Sequence, residues 1–151
     1  MTRSTSPRRR AASEKLSYGL DQQVGFILRQ VSQRHTTIFT NAIGVNLTAT
    51  QWAAISKLAE TGPCSQNQLG RLTAMDVATI KGVIDRLTAR GLTETERDPA
   101  DGRRLLVRLT RAGQSLVDKT VASALKVTEQ TLAPLTPKER ETFLALLVKL
   151  R

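Results

Sequence analysis

Five times along this chain a short hydrogen-bonding side chain stands just ahead of an apolar series with helical spacing: Thr48, Ser65, Asp76, Thr110 and Thr136. Such residues satisfy the free N–H groups of a helix's first turn, so each marks a start. Thr48 with Gln51, and Thr136 with Glu139 around Pro137, have the spacing of a reciprocal capping box, and Ser65 with Gln68 repeats it. Stops alternate with these starts at Gly44, Gly62-Pro63, Arg90-Gly91 and Pro134. A chain punctuated in this way is cut into several helices and leaves little length for a large sheet.

Composition agrees. Aromatic residues are 3% of 151, so the core must be built from Leu, Ile, Val and Ala, which favours packed helices over a sandwich or barrel. The length suits one compact domain. The expected order is a long helix from Leu20 to about Ala42, a second from Thr48 to about Glu60, a short third ending near Thr73, and a fourth over Val77 to Arg90. Two extended segments follow, Leu92 to Arg97 and Arg104 to Leu109, then a fifth helix from Thr110 to Pro134 and a sixth from Thr136. Residues 1–15, rich in Ser, Thr, Pro and Arg, read as a flexible basic arm or a merely solubilising tail, and 16–151 as a single domain.

Charge narrows the partners. Lys and Arg number 23 against 13 acidic residues, a formal net charge of +10 that suits a polyanion. The longest apolar run, Phe143 to Val148, is far short of the roughly 20 residues that cross a bilayer, so no membrane partner is expected. No secretory h-region follows Arg8-Arg9-Arg10, and a single cysteine, Cys64, forms no internal disulfide; both point to the cytoplasm. With one His, one Cys, no GxSxG and no phosphate-binding glycine loop, neither catalysis nor a metal or cofactor is expected.

The middle of the chain carries the functional signal. Two short capped helices joined tightly, followed by a ribbon with a basic tip, read as a winged helix-turn-helix. In the fourth helix Val77, Ile80, Val83, Ile84 and Leu87 share the side expected to pack inward. The opposite side presents Ala78, Gly82, Asp85, Arg86 and Ala89, flanked by Thr79 and Lys81. Small residues edged by donors can approach a major-groove floor closely. The ribbon holds Arg97, Arg103, Arg104, Arg108 and Arg111 against Asp98 and Asp101, and an arginine at its tip can enter a minor groove. Asp101 is placed to accept from the Arg103 guanidinium and pre-set its direction.

The run Asp98-Pro99-Ala100-Asp101-Gly102-Arg103-Arg104-Leu105-Leu106-Val107-Arg108-Leu109-Thr110-Arg111-Ala112-Gly113 resembles the wing signature of the MarR family, DPxDxRxxxVxLTxxG. Leu69 to Leu72, Thr79 to Leu87 and Gly91-Leu92 are similar to that family's helix-turn-helix. The resemblance implies a mostly α winged-helix homodimer that binds double-stranded operator DNA through a lobe of about 48–110 and dimerises through helices of 20–43 and 111–151. It places Thr79, Lys81 and Arg86 on the recognition helix, with Ser65 and Gln66 beside it. Arg103 takes the minor-groove position, with Asp101 and Arg104 as neighbours. Many members carry a basic residue where this chain has Gly82, which shifts recognition toward Lys81 and Arg86.

The same resemblance implies a repressor released by a small aromatic acid. The run from Thr79 to Val83 is most similar to a branch controlling catabolism of aromatic or N-heteroaromatic acids such as hydroxynicotinate. His35, with Arg34 beside it, reads either as a core histidine satisfied by one hydrogen bond or, with Trp52, as the wall of an effector pocket. Trp52 itself reads as core or ligand platform. Two alternatives stand beside the repressor: a redox-responsive regulator using Cys64 as a low-pKa thiol at a helix N-terminus, and a non-specific architectural DNA-binding protein.

Overall fold

A computed structural model describes residues 18–44 and 46–151; the basic arm expected over 1–15 lies outside them. Six helices and one hairpin follow in order: α1 Val24–Ile43, α2 Ala49–Thr61, α3 Gln66–Leu72, α4 Val77–Ala89, β1 Thr93–Arg97, β2 Leu105–Leu109, α5 Arg111–Thr131 and α6 Pro137–Lys149. The first helix starts later than its periodicity predicts. Leu20–Gln22 form a separate 3₁₀ turn, because Gln23 takes an extended conformation and its side-chain amide closes back on the Gly19 carbonyl at 3.0 Å.

The caps hold the helices where the sequence marks them. Thr48 and Thr136 form complete capping boxes, and Asp76 and Thr110 each accept from the N3 amide. Ser65 makes only half of the expected box, accepting from the Gln68 amide at 3.3 Å without a return bond. Helix α4 ends in a Schellman motif: the Leu92 amide donates to the Leu87 carbonyl at 3.0 Å and the Gly91 amide to Thr88 at 2.9 Å, with Gly91 at φ 69°.

Packing of α2, α3 and α4 against the hairpin makes the core. Ile55, Leu69, Ile80, Val83 and Leu87 are fully buried, each contributing roughly 1.5–3 kcal/mol relative to exposure. The α3–α4 crossing is close because Gly70 has no side chain: a Cβ there would lie 3.1 Å from the Met75 carbonyl oxygen and 3.2 Å from Ile80 Cγ2. Val77 departs from the expected inward face and is 67% exposed. It sits at the first position of α4 and borders an open groove beside α3, so the core begins one turn later at Ile80.

Strand β1 pairs antiparallel with β2, Thr95 opposite Val107. On the other edge of β2, the main chain of Cys64 bonds Val107 in both directions at 2.8 and 3.2 Å. Val107 is buried and Leu109 half-buried, but Leu105, also expected on the packed face, is exposed because the ribbon has by then left the helices. The hairpin joins α5 through Gly113, where a Cβ would fall 2.0 Å from the Leu92 carbonyl oxygen. Only a glycine lets α5 start this close to β1, and Thr110 Oγ1 secures the junction by donating to the Gly91 carbonyl at 2.6 Å.

Helices α1 and α6 bury little within the chain. Phe39 is the only buried residue of α1, and α6 buries none. Leu20, Val24, Ile27, Leu28 and Val31 on one side, and Leu144, Leu146, Val148 and Leu150 on the other, remain exposed. No helix among the described residues is long and apolar enough to cross a membrane.

Candidate nucleic-acid interface and effector cavity

The exposed side of α4 carries two cations in different situations. Lys81 Nζ lies 2.6 Å from Asp85 Oδ2, an i,i+4 pair in which both side chains face solvent. Such a pair is worth a few tenths of a kcal/mol and yields readily to a phosphate. Arg86 enters no ion pair among the described residues and folds over Gly82, its terminal nitrogens 3.6 and 3.7 Å from where a Cβ would be. The missing side chain at position 82 thus becomes a seat for the Arg86 guanidinium. Thr79 is exposed one turn earlier, its amide held by Asp76 Oδ1 at 2.7 Å. That bond, the Thr79 hydroxyl and the Ala78 amide hold the Asp76 carboxyl below its ordinary range.

Between α4 and the hairpin runs a groove of about 480 Å³ walled by Gln66, Asp85, Thr88, Thr95 and Leu105, so Gln66 faces the ribbon and α4 together. Ser65 is occupied as the cap of α3. At the tip the arrangement differs from the expected one. Asp101 accepts from the Arg103 main-chain amide at 3.1 Å, and no bond to the guanidinium is present. The carboxylate shapes the turn rather than aiming the side chain, because a two-residue separation closes an Asx turn more easily than it reaches a long side chain. Arg103 is left exposed with no side-chain partner among the described residues. Arg104 lies 3.9 Å from Asp98, and Arg97 donates to the Gly102 carbonyl at 2.8 Å. Arg108 is clamped by Glu94 at 2.7 Å and Glu96 at 2.9 Å, cross-strand partners that a count of charges within the turn overlooks.

Cys64 is buried, and that burial raises its thiol pKa. The low-pKa thiol required by a redox switch is absent, since the main chain of Cys64 is part of the sheet and its side chain part of the core.

Of the three effector candidates, the structure brings two together. His35 and Trp52 line one cavity of about 250 Å³ with Phe39, Val127 and Thr128, a little below the roughly 300–1,000 Å³ of sites for drug-sized ligands. Arg34 does not line it. Its guanidinium donates to the carbonyls of Thr131 at 2.7 Å and Gln130 at 2.9 Å, closing the C-terminal turn of α5. Thr131, which no local signal in the sequence singles out, also meets His35: its Oγ1 is 2.9 Å from Nδ1 and donates to the Val127 carbonyl at 2.7 Å. A hydroxyl has one proton, so the His35 bond is donated by Nδ1–H. Nε2 remains without a partner among the described residues.

A second space of about 540 Å³ lies between α2 and α5 and shares Trp52, Ala124 and Thr128 with the first. Ser56 in its wall was not singled out from sequence. Its Oγ is shut off from solvent and has no hydrogen-bond partner, a situation that costs about 1–3 kcal/mol.

Comparison with known proteins decides the family. Over 99% of its length the chain is 38% identical to the HTH-type transcriptional repressor NicR of Pseudomonas putida, covering 95% of that protein. Residues 45–104 match the family model for MarR. The chain belongs to the MarR family. A probable transcriptional regulator from Pseudomonas aeruginosa of known structure aligns with this MarR-family chain at a TM-score of 0.83 and 56% identity, over 88% of this chain and 100% of that one. BpsR of Bordetella bronchiseptica, whose DNA binding is regulated by 6-hydroxynicotinic acid, aligns at a TM-score of 0.85 and 41% identity, over 89% and 96%. The MarR winged-helix fold is therefore the fold of this chain, with β1–β2 as the wing.

Proposed function

We propose that this chain is a ligand-responsive transcriptional repressor that binds a pseudo-palindromic operator as a homodimer and is released by a small aromatic or N-heteroaromatic carboxylate. One observation carries the DNA-binding part. A helix face of small residues, with the Arg86 guanidinium laid over Gly82, stands beside a wing whose tip arginine, Arg103, has no internal partner. In this reading Thr79, Lys81 and Arg86 enter the major groove, with Ser65 and Gln66 at its edge. Arg103 enters the flanking minor groove, Asp101 shapes the tip, and Arg104 meets the backbone. Residues 16–151 act as one domain, with the reading lobe at about 48–110 and the dimer built from 20–43 and 111–151. Twofold symmetry sets half-sites about one helical turn apart, roughly 10 bp. The reading assigns no catalytic step and places the protein in the cytoplasm with the DNA it controls.

The effector part rests on the His35 and Trp52 cavity and on the kinship with NicR and BpsR. The indole offers a face for one aromatic ring, and His35 offers Nε2 to its carboxylate, a bond that requires a proton on that nitrogen. Arg34 stands next to His35 in the chain but serves α5 in the free protein. It contributes to the site by releasing those carbonyls or through its field alone. The effector needs only a differential affinity for the DNA-incompetent lobe spacing, typically about 1–3 kcal/mol.

The test is a titration of operator duplex at several salt concentrations, with and without 6-hydroxynicotinic acid. Affinity should fall steeply with salt, exceed that for random duplex, and drop when the acid is added. Salt-independent binding, or no preference over random duplex, sinks the proposal. Arg103→Ala should weaken operator binding about tenfold or more while changing stability by less than about 0.5 kcal/mol, as expected for an exposed side chain. Unaltered affinity removes the wing from the mechanism.

A further inference from the structure

Six helical threonines, Thr36, Thr37, Thr61, Thr120, Thr131 and Thr142, turn their hydroxyls back to the carbonyl four residues earlier at 2.6–3.1 Å. Ser56, also in mid-helix, makes no such bond. It is the one covered side-chain polar atom without a partner among the described residues. The residue lines the groove between α2 and α5, which shares Trp52, Ala124 and Thr128 with the His35 cavity.

The two spaces are opposite in character. On the His35 side the polar group is an imidazole able to carry positive charge. On the Ser56 side the groove presents acceptors, the carboxylates of Glu60 and Asp118. Lys57 neutralises Glu60, whereas Asp118 accepts only a neutral bond from Gln114 Nε2 at 2.9 Å. A ligand carboxylate is repelled from that wall, and a ligand hydrogen-bond donor is welcomed.

Resting on the reading of the His35 cavity as the effector site, we propose that Ser56, with the acidic wall of the α2–α5 groove, is a specificity-determining residue that accepts a hydrogen bond from a ring hydroxyl or ring N–H across the effector's ring from its carboxylate. The ligand lies along Trp52, its anionic end toward His35 and its donor toward Ser56. The chemical class follows: a single-ring aromatic acid with a donor remote from the carboxylate, in preference to the same acid without one. A site that offers an otherwise unpaired buried group discriminates strongly, because only the matching ligand satisfies it.

The test uses the full chain, with 6-hydroxynicotinic acid and nicotinic acid as probes, measured by calorimetry and by displacement from operator duplex. The native chain should prefer the hydroxylated acid by about tenfold or more, the effect of one hydrogen bond at a covered site. Ser56→Ala should bring the two affinities to within about threefold by weakening only the hydroxylated acid, with the melting temperature held or raised. Asp118→Asn should reduce the preference in the same direction while keeping an acceptor for Gln114. Both acids binding with a ratio that Ser56→Ala leaves unchanged overturns this inference and spares the effector reading. So does a fall in melting temperature with an unchanged ratio, which assigns the hydroxyl to a structural water. Failure of the native chain to bind either acid removes the effector reading itself.

Discussion

The lobe formed by α2, α3, α4 and the wing differs sharply from the pair of helices at the two ends of the chain. In the lobe every helix has a cap, a buried face and a partner, and Ala54, Ile55, Leu69, Ile80, Val83 and Leu87 are completely enclosed. Helix α6 is equally well capped at its start but encloses nothing, and the first half of α1 exposes its whole apolar stripe. Both regions satisfy the same local rules, so helix signals alone do not tell a finished surface from one awaiting a second copy of the chain. What separates them is burial. The lobe is stabilised within one protomer, whereas the outer helices need a partner to remove their leucines from water.

That contrast can be broken at its junction. Gly113→Ala drives a Cβ into the Leu92 carbonyl, and should cost several kcal/mol, the range of severe backbone clashes. The expected result is a large fall in melting temperature or loss of soluble protein; a variant melting within a few degrees of the parent would show that wing and α5 can separate. The next largest effect sharpens the contrast. Leu146→Glu combined with Leu150→Glu, both exposed in the protomer, should convert dimer to monomer in sedimentation and weaken operator binding by orders of magnitude. Near-native circular dichroism should persist from the lobe. A variant that stays dimeric would place the interface elsewhere.

The smallest effect lies inside the lobe. Bonds from Thr79 and Ala78 hold the Asp76 carboxyl below its ordinary range, so the cap's stabilisation is complete above the usual carboxylate range and is lost as pH falls through the depressed folded value. Asp76→Asn keeps a capping oxygen but does not titrate. The parent should therefore be the more stable near neutrality, and the gap should close in acid. A gap independent of pH would show that the charge contributes nothing.

Helix starts were legible because a cap is a contract between residues three apart: Thr48 with Gln51, Asp76 with Thr79, Thr136 with Glu139. The wing was legible for the same reason, its turn being closed by Asp98 and Asp101 on amides two residues ahead. Val77 shows where such reading stops, since periodicity ranks it with Ile80 although only Ile80 is covered in the fold. Arg34 stops it differently. Its partners are 96 and 97 residues away, and nothing near position 34 announces a helix end. Ser56 is the extreme case, because its importance lies in a bond it does not make, which only the arrangement of α2 against α5 reveals.

Gly113 does more than permit a close approach. With the main chain of α5 resting on the Leu92 carbonyl and Thr110 hooked to Gly91, the long helix meets the root of the wing backbone against backbone, with the Leu109 side chain packed alongside. A swing of α5, whose far end is held by Arg34, therefore acts first on the root of the wing, like a lever pressed close to its hinge.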